Sequence, residues 1–397
     1  MRNGSFKEVL KLVQKSVPRV FILDPARLYE VRERIREGDK ELLPAWHKLK
    51  QEAAESLSAG PFTVVDKPVT PPSGDKHDYM SIAPYWWPNP DTPSGLPYIR
   101  KDGEENPERS KLDRSSLAKL SAHTDTLALA YYFSDEEAFA LKAAELLRAW
   151  FIDEPTRMNP HLHYGQSIRG ICDGRGIGII ETRDFLKVVN AIGLLQGSSS
   201  WANTDQSQMQ AWFKQYLHWL LDSERGRDEA SQANNHGTHY DVQVAVFSLF
   251  VGQEDVAKEI LSSRVLQRIT DQIEPDGRQP LELARTKALS YSSMNLDGWF
   301  DLAAIAEVFG IDLLQYTTAD GRGLRMALDY LVPYFSDPES WPYEQIHLFS
   351  SDQAMKLLRR GANAFKNAEY EQAISRLSGL KLTESRIQLL YPRHRHT

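Results

Sequence analysis

The chain has a single cysteine, Cys172, among 397 residues. That excludes an internal disulfide framework and any four-cysteine zinc site. It has no apolar run near the ~20 residues that a membrane-spanning helix needs. It has no surplus of positive charge. Its 47 Lys and Arg against 54 Asp and Glu leave a formal net charge of −7. Wholesale nucleic-acid binding is thereby disfavoured, and only a local basic cleft for an anion remains open. Strand-like alternation is scarce, and nothing reads as repeated strand–helix–strand units. The opening "MRNGSFKEVLKLVQKSVPRVFIL" interrupts every short apolar stretch with Lys or Glu, so it is not a signal peptide. A periplasmic or secreted location is the expectation only if a leader has been removed.

What is present is helical periodicity. "SDEEAFALKAAELLRAWF" opens with capping-box spacing from Ser134 to Glu137, then places Phe139, Ala143, Leu146, Leu147, Trp150 and Phe151 on one face. "TDQSQMQAWFKQYLHWLLD" repeats the design, with Thr204 as the expected cap. Similar patterns run over 28–35, 117–133, 185–195, 242–251, 256–273, 302–309, 324–335 and 354–365. Consecutive helices with short turns imply antiparallel hairpins. A dozen helices exceed a simple bundle, and no fixed-period repeat supports a solenoid. The expected fold is all-α: an (α/α) toroid, an incomplete barrel of about six to seven helical hairpins. The whole chain, 1–397, is expected to form one catalytic domain.

Residues 64–107 break the pattern. They are crowded with Pro and Gly, lack any period, and carry Tyr79, Tyr85, Trp86, Trp87 and Tyr98. Aromatics argue against disorder, so an ordered, irregular lobe is expected. Its rings either form platforms for the C–H faces of sugars or plug one end of the helical array.

Polar chemistry concentrates in "NNHGTHYDVQ", from Asn234 to Gln243, ahead of the apolar run "VAVFSLFV". One Asn suffices for an N-cap, and two amides followed by His236 exceed that need. His236, His239 and Asp241 also permit a metal reading, but no distal ligand is evident. A second polar segment, Gln272 to Asn295, holds Glu282, Arg285, Lys287 and Tyr291. Arg285 and Tyr291 stand six apart and share a cleft only if the chain bends between them. "HLHYGQ", His161 to Gln166, is a polar–aromatic cluster that also suits a cleft wall. "GRGIG", Gly174 to Gly178, lacks the preceding strand of a dinucleotide loop. His394 and His396 read as a basic tail.

Together, "HDYMSIAPYWWPNPD", "GLPYIR", "MNPHLHYGQ", "GRGIGIIE", "NNHGTHYDVQ" and "LELARTKALSY" resemble the alginate lyase superfamily of polysaccharide lyases over about residues 60–350. The resemblance implies a helical toroid that cleaves uronate-containing polysaccharides by β-elimination, with no required metal or cofactor. Asn235 and His236 match the pair that engages the substrate carboxylate. Tyr291 matches the catalytic tyrosine, and Arg285 the arginine that helps set its protonation state. The interval from Arg285 to Tyr291 is one residue shorter than in the better-known alginate lyases. With "NNHGTHYD", it looks closer to a sister branch acting on mannuronan or glucuronan. Tyr79, Tyr85, Trp86, His163, Tyr164, Gln166, Asn234, Tyr240 and Lys287 are the expected substrate contacts.

That chemistry would account for the crowding. Removing the C5 proton of a uronate requires donors for the charge that builds on its carboxylate, and the start of a helix favours such an anion. A free tyrosine ionises near pH 10, so a phenolate base needs a cation, Arg285 before Lys287. The expected partner is an anionic poly- or oligosaccharide, not nucleic acid or membrane, and the oligomeric state is left open. Two other readings stand. A glycoside hydrolase needs two carboxyl groups flanking the bond, with Asp173, Glu181, Asp241 and Glu282 as nominees. A non-catalytic uronan-binding protein needs only the aromatic lobe.

Overall fold

In a computed structural model, residues 17–377 and 381–393 are described, so the first sixteen residues and the histidines at 394 and 396 lie outside the description. The helices, in chain order, begin with α1 (Pro25–Arg36), α2 (Leu43–Ser56), α3 (Asp113–Ser134) and α4 (Glu137–Phe151). Then come α5 (Phe185–Leu194), α6 (Asn203–Asp222), α7 (Glu224–Ala230), α8 (Asn235–Phe250), α9 (Glu254–Ser262) and α10 (Arg264–Gln272). The last are α11 (Pro280–Leu283), α12 (Ala288–Glu307), α13 (Leu324–Ser336), α14 (Ser351–Phe365), α15 (Ala368–Ile374) and α16 (Ile387–Leu390).

Five of them, α3, α5, α8, α12 and α14, pack in succession as an inner ring. Their hairpin partners α4, α6, α9, α13 and α15 pack outside them, and α16 joins α14 to α1 and α2. This is an α/α toroid. The sequence separates the two layers. Every residue of α8 except His236 is buried, as an interior helix with apolar residues on all faces requires. By contrast α10 buries only Val265, Arg268, Ile269 and Gln272, one stripe at helical spacing. One apolar cluster runs from Val20 to Leu389 and includes the fully buried Trp150 and Trp299.

Helix ends depart from the sequence expectations. Ser134 ends α3 instead of capping α4, and its hydroxyl donates to the Ala130 carbonyl. Glu137 is recruited elsewhere, accepting from the hydroxyls of Ser198 and Ser200. Helix α6 starts before Thr204, with Ala202 as its cap residue and the Asp205 carboxylate accepting the Ala202 N–H at 2.9 Å. The pattern over 256–273 is two helices, α9 and α10, parted at Ser263.

The aromatic-rich segment is ordered around two small sheets. Strand β1 (Met80–Ile82) pairs in parallel with β4 (Tyr164–Ser167), and β2 (Trp86–Trp87) pairs antiparallel with β3 (Ile99–Arg100). A separate small core of Ala83, Tyr98 and Ile168 lies beneath, with Trp86 and Cys172 against it. "GRGIG" leads into a 3₁₀ run, Gly176–Asp184, and serves packing. A Cβ on Gly174 would lie 2.1 Å from the His163 carbonyl oxygen.

Candidate active site

The polar block is not a prelude to α8 but its first two turns. Asn234 caps the helix, its side chain accepting the His236 N–H at 3.2 Å. Gly237 is dictated by close approach: a Cβ there would fall 2.1 Å from the Gln232 carbonyl oxygen and 2.2 Å from the Arg268 guanidinium. The chain therefore folds tightly against itself just where Asn235 and His236 are presented. The bend expected between Arg285 and Tyr291 also exists. Arg285 lies between α11 and α12, before the helix that begins at Ala288.

Tyr291 is the meeting point. Its hydroxyl lies 2.6 Å from the Tyr85 hydroxyl and accepts a hydrogen bond from Arg285 Nη2 at 3.1 Å. The Arg285 guanidinium also sits 4.1 Å from the centre of the Tyr291 ring. Asp102, from the irregular lobe, grips the same guanidinium through Nε at 3.1 Å and Nη2 at 2.8 Å. These contacts hold the Asp102 carboxyl well below the usual carboxylate range, against its partial burial. The expectation that Arg285 brings Tyr291 down meets a larger opposing cause. Burial pushes the phenol well above its ordinary value, Tyr85 adds to this, and the pull of Arg285 does not offset them. Asp102 contributes by setting a negative charge against that arginine.

Asn235 and His236, the pair expected to engage a carboxylate, are each held by a glutamate. Asn235 is fully buried, and Glu282 accepts both its backbone N–H and its Nδ2–H at 2.7 Å. The second Nδ2 hydrogen and Oδ1 have no partner among the described residues. Glu282 thus meets the first N–H of α8, and burial pushes its carboxyl up. His236 Nδ1 lies 3.0 Å from Glu229 Oε1, which turns the opposite edge of the ring to the cleft.

The cleft has two lobes, of about 440 and 670 Å³, and Tyr85, Arg183, Tyr291 and Met294 line both. The smaller lobe holds Asn234, Asn235, His236, Trp86, Gln166 and Arg285. It also holds Arg175 and Arg183, neither of which forms an ion pair with a described residue. Arg175 donates to Gln166 Oε1 at 2.8 Å, and Arg183 to the Met294 sulfur. Burial pushes both guanidiniums down, yet arginine stays charged, so both are cations in the cleft without an ion-pair partner among the described residues. Gln166 is held at φ +51, the left-handed region, a strained conformation that collects at functional sites. Lys287 lines the larger lobe and lies 5.1 Å from the Tyr85 ring centre.

Four expected contacts are placed elsewhere. Tyr79, just before β1, is fully buried and donates to Glu181 at 2.8 Å. Tyr240 lines neither lobe; it is buried one turn beyond His236, donating to the Leu220 carbonyl at 2.8 Å. His163 packs edge-on to Trp219, and Tyr164 beside it lines neither lobe. His236, His239 and Asp241 do not converge as a metal site. His236 faces Glu229, and Asp241 lies against Arg268 at 2.6 Å. His239 faces the larger lobe, neutral because burial pushes it down to about 3. The nominated hydrolase acids are likewise spoken for. Glu181 accepts from Tyr79, Ser81 and Arg109, while Asp173 is exposed and outside both lobes. Sequence reasoning missed Glu229, Asp102, Arg175 and Arg183.

A helical toroid with a cleft of this kind is the architecture expected of the α/α-toroid polysaccharide lyases that the sequence resembles. The alginate lyase family model matches residues 63–341. An alginate lyase from Bacteroides ovatus is 41% identical, with a TM-score of 0.91 over 94% of this chain and 99% of that one. Alginate lyase A1-III from Sphingomonas species A1 is 15% identical, with a TM-score of 0.61 over 98% of this chain and 99% of that one. A histidine-to-alanine variant of alginate lyase A1-III, complexed with tetrasaccharide, matches at 13% identity and a TM-score of 0.60, over 96% and 97% of the two chains. The last two share the fold. A comparison with curated protein sequences finds no match. The chain belongs to the alginate lyase family, and it is a polysaccharide lyase.

Proposed function

We propose that the enzyme cleaves a 1,4-linked uronan of the mannuronan or glucuronan type by β-elimination, with Tyr291 as both base and acid. The free Nδ2 hydrogen of Asn235 and the cleft-facing edge of His236 bind the carboxylate of the reacting uronate and take up the charge that develops on it. Tyr291, as phenolate, removes the C5 proton. The electron pair of the C5–H bond forms the C4–C5 double bond, the C4–O bond breaks, and the leaving oxygen takes the proton back from Tyr291. Arg285 and Tyr85 each donate toward the phenolate, which supports it during the step. The unpaired Arg175 and Arg183 hold carboxylates of neighbouring units.

The observation that carries this reading is the convergence on one hydroxyl, with Arg285 at 3.1 Å and Tyr85 at 2.6 Å of Tyr291. A single group can take the proton and return it only where both leave from the same face, as in mannuronate and glucuronate. The test is far-ultraviolet absorbance during incubation with polymannuronate, glucuronan and polyguluronate. Rising absorbance with the first two and little with the third is expected. Equal rates on polyguluronate would remove the same-face preference. New reducing ends without absorbance would mean a hydrolase.

A further inference from the structure

We propose that the larger lobe of the cleft takes the uronate on the non-reducing side of the cleaved bond, and that Lys287 binds the carboxylate of that unit. The inference rests on the elimination reading above and adds the direction in which the polymer lies. Asn235 and His236 line only the smaller lobe, Lys287 lines only the larger, and Tyr291 belongs to the wall they share. Lys287 Nζ lies 5.1 Å from the centre of the Tyr85 ring, whose hydroxyl is 2.6 Å from that of Tyr291. The lysine forms no ion pair with a described residue, whereas the acids of the larger lobe are largely matched. Asp297 is held by Lys356 and Arg360, Asp301 by Arg360, and Asp184 by Arg114. Asp352 accepts from the Ser385 hydroxyl at 3.0 Å.

Elimination orients the chain. The proton lost from C5 and the oxygen lost from C4 sit on neighbouring carbons, and both must face Tyr291. The carboxylate on that C5 goes to Asn235 and His236 in the smaller lobe. C1 lies across the ring from C4, so the reducing side leads away from Tyr291 and stays in the smaller lobe, where Arg175 lies. The C4 oxygen joins the reacting unit to its non-reducing neighbour, which therefore continues past Tyr291 into the larger lobe. Lys287 waits there, on the same element as the base. Its carbonyl accepts the Tyr291 N–H at 2.9 Å, and its backbone bridges to Gln345. The Gln345 side chain in turn accepts the N–H groups of Leu289 and Ser290 at 3.0 and 3.3 Å. Base and lysine thus stand one helical turn apart on a pinned helix start. An ammonium on a flexible stem suits a carboxylate that must be held without fixing its exact angle.

The test compares two trisaccharides of the form X–mannuronate–mannuronate, in which the non-reducing unit X is mannuronate or neutral mannose. Release of X is followed by initial rates, together with far-ultraviolet absorbance. The wild type should release mannuronate with a kcat/KM about 10-fold above that for mannose, the low end for a hydrogen bond to a charged group. Lys287→Gln should bring that ratio to within about 2-fold, and Lys287→Arg, which keeps the charge, should retain most of it. No preference in the wild type, or the full preference in Lys287→Gln, would overturn the proposal. So would a preference lost in Lys287→Gln only when the neutral sugar stands at the reducing end. Release of X without new absorbance would instead sink the elimination reading, while the ratio still reports on Lys287, so the two failures are separable.

Discussion

Arg285 touches Tyr291 twice, donating to its hydroxyl at 3.1 Å and lying 4.1 Å from its ring centre. Both contacts favour the phenolate, yet burial keeps the phenol protonated in the free enzyme, and Asp102 sets its charge against the arginine. The irregular lobe therefore reaches the Arg285–Tyr291 pair, because Asp102 belongs to it.

The sign of the pH dependence follows. A phenol pushed up by burial yields its base form only as pH rises, so kcat/KM should climb through the alkaline range. Asp102→Asn removes a negative charge beside Arg285, which lowers the cost of the Tyr291 phenolate. The rising limb should move to lower pH in the variant. A limb that stays in place or moves up would contradict this role for Asp102.

Arg175 and Arg183 enter the cleft without ion-pair partners among the described residues, bonded to Gln166 and Met294 instead. Arg175→Ala and Arg183→Ala should each raise KM for a uronan roughly 10-fold to 100-fold, the range for a lost charge-assisted hydrogen bond. Raising salt should weaken wild-type binding in the same direction. Unchanged KM in both variants, measured by initial rates, would place the polymer elsewhere.

Two aromatic residues of one lobe should behave differently. Trp86 lines the cleft, and Trp86→Ala should raise KM by about 5-fold, near the ~1 kcal/mol of an aromatic face. Tyr79 supports Glu181 from below. Tyr79→Phe should leave KM alone and lower stability by about 1 kcal/mol in a denaturant titration.

Gly237→Ala puts a Cβ against the Gln232 carbonyl and the Arg268 guanidinium. It should destabilise the fold by about 1–3 kcal/mol and reduce kcat by displacing His236. Wild-type stability and activity together would show that the turn before α8 can yield.

The helices were legible because apolar residues repeat at helical spacing, as in the faces of α4 and α6. Their ends were not, since Glu137 and Asp205 spend their carboxylates on partners supplied by tertiary packing. Asn235, His236, Arg285 and Tyr291 were named through family resemblance; nothing local announces that residues 55 apart, such as His236 and Tyr291, share one cleft. The braces were illegible for the same reason. Asp102 lies 183 positions from Arg285, and Glu229 looks like any acidic residue on a short helix. Tyr79 and Tyr240 misled because aromatic content does not say which way a ring faces.

The most direct measurement is the far-ultraviolet absorbance of Tyr291→Phe acting on polymannuronate, beside its binding of the same polymer. If Tyr291 is the base and acid, elimination should fall by about 10²-fold to 10⁴-fold or more while affinity stays near the wild-type value. Elimination at the wild-type rate in that variant would contradict the assignment of Tyr291 and require another base.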